Sequence, residues 1–159
     1  MNFVLAGKAK DVFQRLKDFE VMSAAGGDII YEGYRIHDEP GNVIVTRTEV
    51  NLNGEIKVDN LYPGPSQELY NHSPDGFEWG YSGSGPAQLA LALILDATGN
   101  KELALVYHQQ FKESFVAGWG ARWQLIARQI RIWVELKHNL DQLAAKEEKV
   151  GTEDKSKQS

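Results

Sequence analysis

The chain has 159 residues and a formal net charge of −5, from 17 Lys and Arg against 22 Asp and Glu, with no cysteine. That length suits one compact domain, and an ordinary balance of 42% hydrophobic and 25% charged residues points away from disordered and membrane classes. The missing cysteines exclude disulfides and thiolate metal sites and suit a reducing compartment, and the acidic balance opposes attraction to phosphate backbones.

From about Gly7 to Ser23, the residues Val12, Phe13, Leu16, Phe19 and Val21 fall mostly at helical spacing, and Gly26-Gly27 stops the run. A leading amphipathic helix over 1–27 is expected. The opening apolar stretch is too short, and lacks the basic start, for a signal peptide. Ile29 to His37 and Val43 to Val50 are β-rich runs about an Asp38-Glu39-Pro40-Gly41-Asn42 turn, and Asn53-Gly54 leads to a third alternating run, Glu55 to Val58. These read as a three-stranded antiparallel meander. Phe77-Glu78-Trp79-Gly80-Tyr81 reads as a further strand, with its three aromatics on one face and Glu78 and Gly80 on the other.

Pro86 to Ala97 reads as a helix whose residues Leu89 to Leu95 are apolar all round, which predicts burial on nearly every side. Its start is marked by Pro86, by Ser84 or Gly85 as cap and by Gln88 at the capping-box position, and its end by Gly99. At nine residues, Leu89 to Ala97 is about half the length a bilayer needs. Lys101 to Gln110 reads as helix and Phe111 to Val116 as a closing strand. From Arg122 the residues Trp123, Ile126, Ile130, Trp133, Leu136, Leu140 and Leu143 form the stripe of a long amphipathic helix, whose overhang beyond Leu136 suits pairing with the first helix or with a second copy. Its Arg122, Arg128, Arg131 and Lys137 are interleaved with Glu135 and Asp141, the pattern of a solvated face rather than of a nucleic-acid surface. Residues 146–159 are polar and read as a disordered tail. The fold class is therefore α+β: a leading helix over 1–27, and one domain over 28–145 in which a small sheet of three to five strands packs on a buried central helix and a long C-terminal helix follows.

The run from His72 to Leu91, His-Ser-Pro-Asp-Gly-Phe-Glu-Trp-Gly-Tyr-Ser-Gly-Ser-Gly-Pro-Ala-Gln-Leu-Ala-Leu, resembles the signature of a family of small phage, plasmid and bacterial proteins of unknown function. The similarity extends from about Tyr31 to Val134 and takes in the Phe111-Lys112 pair and the tryptophan-led last helix. It implies a bacterial or mobile-element setting, where small proteins that sequester nucleotides or block host proteins are common.

Known chemistry fits this run poorly. Gly80 and Gly85 have P-loop spacing, but Pro86 and Ala87 stand where a Lys and a hydroxyl are needed. Gly80-Tyr81-Ser82-Gly83-Ser84 is one residue short of a nucleophile elbow, and Asp96 lies inside a buried helix. His37, His72, His108 and His138 lack ligand spacing, so no metal or cofactor is expected. Glu78 and His72 as an acid/base pair would be the only route to an enzyme. What remains is a loop, Ser82-Gly83-Ser84-Gly85, that opens backbone N–H groups at a helix start where the dipole favours an anion. The candidate ligand-binding residues are His72, Asp75, Glu78, Trp79, Tyr81, Ser82, Gly83, Ser84 and Gly85. The competing reading is that the same run is a fold determinant, its glycines serving close packing. The expectation is a cytoplasmic, non-enzymatic protein that binds a small anionic molecule or nucleotide. The alternative is an interaction module or host-protein inhibitor acting through the terminal helices, with a homodimer through the same helices and with no membrane or nucleic acid among its partners.

Overall fold

The structure is a computed structural model that describes residues 28–156, so the leading helix expected over 1–27 lies outside the described residues. Three strands follow one another as expected: β1 (Ile29–Arg35), β2 (Val43–Val50) and β3 (Ile56–Asn60). A short helix α1 (Gly64–Leu69) follows, then α2 (Ser84–Thr98) and α3 (Lys101–Ser114), a fourth strand β4 (Arg122–Ile126), and the 30-residue helix α4 (Ala127–Ser156). The strand order is β3-β2-β1-β4, with every pair antiparallel. The fold is α+β.

Gly33 makes the β1–β4 pairing possible. It sits opposite Trp123, and a Cβ at Gly33 would lie 2.2 Å from the Trp123 indole nitrogen. The indole instead covers the bare glycine backbone and stacks on Trp119, with ring centroids 4.2 Å apart. Inward-facing Tyr31, Val45, Trp123 and Leu125 close the inner face of the sheet. Against them lies α2, whose residues from Gly85 to Ile94 are all buried. Asp96 ties the helix to the sheet by accepting from the Tyr31 hydroxyl and pairing with Arg47 at 2.9 Å. Burial, with Asp96 beside it, pushes the Tyr31 hydroxyl far above its ordinary range. Gly99 ends α2 at φ 64°, the left-handed stop its position predicts.

Five local expectations are corrected. Arg122 to Ile126 is strand rather than the start of the last helix: Trp123 and Leu125 alternate inward, and only the chance spacing of Trp123, Ile126 and Ile130 merges the strand with the helical stripe. Phe111 to Ser114 continues α3 rather than forming a strand, because Phe111 and Phe115, four apart, both pack on Trp133. Phe77 to Tyr81 joins no sheet among the described residues. Phe77, Glu78 and Trp79 are all buried while Tyr81 turns outward, since Gly80 takes φ 85° and donates to the Val116 carbonyl. Gln88 makes no capping box; it is fully buried and bonds elsewhere, as described below. Beyond Lys146, where composition predicts a disordered tail, α4 continues to Ser156.

Candidate functional site

The signature run wraps around the N-terminal end of α2. Gln88 organises its first half: its carbonyl accepts from the backbone N–H groups of His72 at 2.8 Å and Ser73 at 3.2 Å, and its amide donates to Ser66 Oγ and to the Tyr70 carbonyl. One buried side chain thus satisfies four groups of the α1–α2 connection.

Glu78 organises the second half. Its Oε1 pairs with Arg35 Nη2 at 2.7 Å and accepts the Trp79 N–H, and its Oε2 accepts the N–H of Gly41 in the β1–β2 turn at 2.8 Å. Arg35 also donates to the Trp79 carbonyl and lies over the Trp79 ring, 4.8 Å from its centroid. The carboxylate therefore fastens the signature loop to the end of β1 and to the turn that follows it. Gly85 permits the approach, because a Cβ there would lie 2.7 Å from Glu78 Cβ.

Between these parts lies a cleft of roughly 700 Å³. Of the residues singled out in the sequence, Asp75, Glu78, Trp79, Tyr81, Ser84 and Gly85 line it. Trp79 is fully buried, with its indole N–H donated to the Gly120 carbonyl at 2.8 Å, so it forms floor and cannot stack a ligand. Tyr81 is half-exposed and folds back over the helix start: a Cβ on Gly83 would meet its ring at 2.4 Å, and its hydroxyl lies near Gly85. Gly83 is the N-cap and supplies no side chain; Pro86 carries no N–H, and Ala87 donates to the Gly83 carbonyl. The N–H groups of Ser84 and Gly85 are left without an acceptor among the described residues.

Three singled-out residues lie outside the cleft lining. Gly83 packs under Tyr81. Ser82 donates to Glu113 Oε1 at 2.6 Å, which joins the loop to α3; Lys112, with this hydroxyl, holds the Glu113 carboxyl below its usual range. His72 meets His108, the two Nε2 atoms 2.8 Å apart. His108 Nδ1 lies 2.8 Å from the Leu105 carbonyl and 3.0 Å from that of Ala104; since carbonyls only accept, Nδ1 carries the proton and His108 Nε2 accepts from His72. Burial lowers both imidazoles, His72 further through His108 and Lys112. The acid/base pairing of Glu78 with His72 does not form, since each is bonded to another partner.

Sequence reasoning missed Arg35, the Pro40-Gly41 corner and the Trp119-Gly120-Ala121 segment, all of which line the cleft. An Arg closing a strand carries no mark in one sequence; it becomes part of the site only because β1 ends beside the signature loop. Among the described residues no group of three or more His, Cys, Asp or Glu is placed to hold a metal ion, and no helix is long and apolar enough to cross a membrane.

An α+β fold whose signature loop closes a cleft at the start of its central helix is thus defined. The chain belongs to a family of unknown function (DUF6166), whose sequence pattern matches residues 31–136. No curated protein and no solved structure matches it.

Proposed function

We propose that the chain is a non-enzymatic binding protein whose cleft takes a small ligand through a negatively charged or strongly accepting group held at the start of α2. The observation that carries this reading is the pair of N–H groups of Ser84 and Gly85, which have no acceptor among the described residues and belong to residues lining the cleft, at the positive end of a 15-residue helix. Tyr81, half-exposed above the same turn, offers an aromatic face to a base or other flat moiety.

Charge narrows the ligand. Arg35 is already neutralised by Glu78, and Asp75 adds a carboxylate to the lining, so the cleft suits a compact group of low charge, such as a carboxylate or one phosphate, rather than a polyphosphate. Such a ligand would be met in the cytoplasm, the setting a cysteine-free chain suits. Sequestering a host metabolite accords with the phage or mobile-element origin that the signature implies.

The test is thermal unfolding against nucleoside monophosphates and triphosphates, cyclic dinucleotides, sugar phosphates and inorganic anions. A ligand at 100 times its Kd stabilises by about 2.7 kcal/mol. Ser84→Pro is the control: proline suits the first helical position yet removes both the N–H and the hydroxyl. The variant should keep the unliganded Tm and lose the ligand-induced shift. A shift that survives Ser84→Pro, or a panel without any shift, would count against the reading.

A further inference from the structure

Strand β3 ends the sheet, and its outer edge has no strand partner among the described residues. All five of its residues, Ile56 to Asn60, are exposed. The register with β2 continues at both ends in hydrogen bonds: Leu61 N–H donates to the Val45 carbonyl at 2.8 Å, and Asn51 N–H to the Glu55 carbonyl at 3.0 Å. Because hydrogen-bonded pairs alternate along an antiparallel ladder, Lys57 and Asp59 turn their backbone groups toward β2, while Ile56, Val58 and Asn60 turn theirs to the open edge. An edge of this kind is a template for another strand.

Side-chain charge selects that strand. Arg47 stands opposite Asp59 and Glu49 opposite Lys57, all on the face of the sheet that carries Tyr31. Lys57 and Asp59 bridge each other at 2.9 Å within the chain, both exposed, a contact of little worth in water. A lone lysine on an edge discourages pairing, but here Asp59 accompanies it on the same face. We infer that β3 pairs antiparallel with β3 of a second copy about a twofold axis at Val58, joining the two sheets into one.

In that register the outward backbone groups pair reciprocally, Val58 with Val58 and Ile56 with Asn60. Lys57 of each copy stands opposite Asp59 of the other, in the closer, non-hydrogen-bonded pairs where side chains meet best. Each row of charges then alternates across the axis: Arg47 and Asp59 of one copy, then Lys57 and Glu49 of the second. Moving the axis to Lys57 or to Asp59 would set like charges directly opposite, so the charges fix the register as well as the partner. On the other face, Ile126, Ile30, Thr48 and Val58 form one row across the sheet. Val58, exposed by 61%, continues that row into the second copy. Asp59 further lines a groove of roughly 600 Å³ between β3 and α2, with Asn60, Tyr62, Leu95 and Asp96. The second copy's Lys57 arrives at the rim of this groove.

With five residues a side the contact belongs among small, weak interfaces, so its concentration dependence is the readout. Sedimentation velocity of the full chain over a range of concentrations should show a monomer–dimer equilibrium that high salt weakens. Lys57→Asp and Asp59→Lys should each weaken the dimer about tenfold or more, since both cross-axis pairs become like-charged, and should leave Tm nearly unchanged. An equimolar mixture of the two variants should dimerise again, because each then meets its opposite charge. Val58→Pro removes the central N–H, which no strand among the described residues uses, and should leave a folded monomer. A chain that stays monomeric at every concentration would overturn the proposal. A dimer that keeps its Kd in both charge variants and in Val58→Pro would overturn it too, by placing the contact on another surface. So would a mixture that stays monomeric while both charge variants keep their Tm.

Discussion

Replacing Glu78 with alanine tests whether the signature loop is held to the sheet as described. The carboxylate receives Arg35 Nη2 at 2.7 Å and the N–H groups of Gly41 and Trp79, and the two charged side chains are only 16 and 12% exposed. Removing one partner of a fully buried pair costs about 3–5 kcal/mol. The residual exposure admits water to Arg35, so the expectation falls to about 2–3 kcal/mol. For a chain of this size each kcal/mol moves Tm by about 2–4 °C, which gives a drop of roughly 4–12 °C. Differential scanning calorimetry of Glu78→Ala, Arg35→Ala and the double variant measures both the loss and the coupling. The double variant should be milder than the sum of the singles by about 1–2 kcal/mol, because no charge is then left unpaired. Strict additivity, or a Glu78→Ala shift within about 2 °C of zero, would refute the reasoning.

Gln88→Leu keeps the volume of a fully buried side chain but strips partners from His72 N–H, Ser73 N–H, Ser66 Oγ and the Tyr70 carbonyl. A loss of about 3 kcal/mol is expected in denaturant titrations, with faster amide exchange at His72 and Ser73. The His72–His108 contact makes stability depend on pH. Both imidazoles titrate below their ordinary value in the folded chain, chiefly through burial, so the unfolded chain binds protons first. Their contribution is therefore complete above about pH 6.5 and is lost as pH falls through the lower folded-state values. Tm should decline between pH 7 and 5, and His72→Gln should flatten that decline.

Legibility in the sequence followed the strength of the local signal. The meander was readable because Pro40-Gly41 and Asn53-Gly54 punctuate alternating runs, and α2 because it is apolar on all sides and closes at a glycine with φ 64°. β4 was hidden because its two inward residues run directly into a helix with a compatible spacing, and its pairing with β1 depends on Gly33, ninety residues away from Trp123. In the site, the glycines and serines at the helix start were visible as a motif. Their separate duties were not: Gly85 makes room for Glu78, Gly83 for Tyr81, and Ser82 is held by Glu113. Arg35 and the His72–His108 pair are products of long-range packing, which no local pattern announces.

The most direct test of the cleft is amide mapping by NMR, with ¹⁵N-labelled chain titrated with the ligand that gives the largest thermal shift. Binding at the start of α2 predicts that the Ser84 and Gly85 amide protons move downfield as they gain an acceptor, that the Tyr81 ring signals shift with them, and that Ser84→Pro abolishes the response. Unchanged Ser84 and Gly85 resonances at saturating ligand would contradict it and place recognition elsewhere on the molecule.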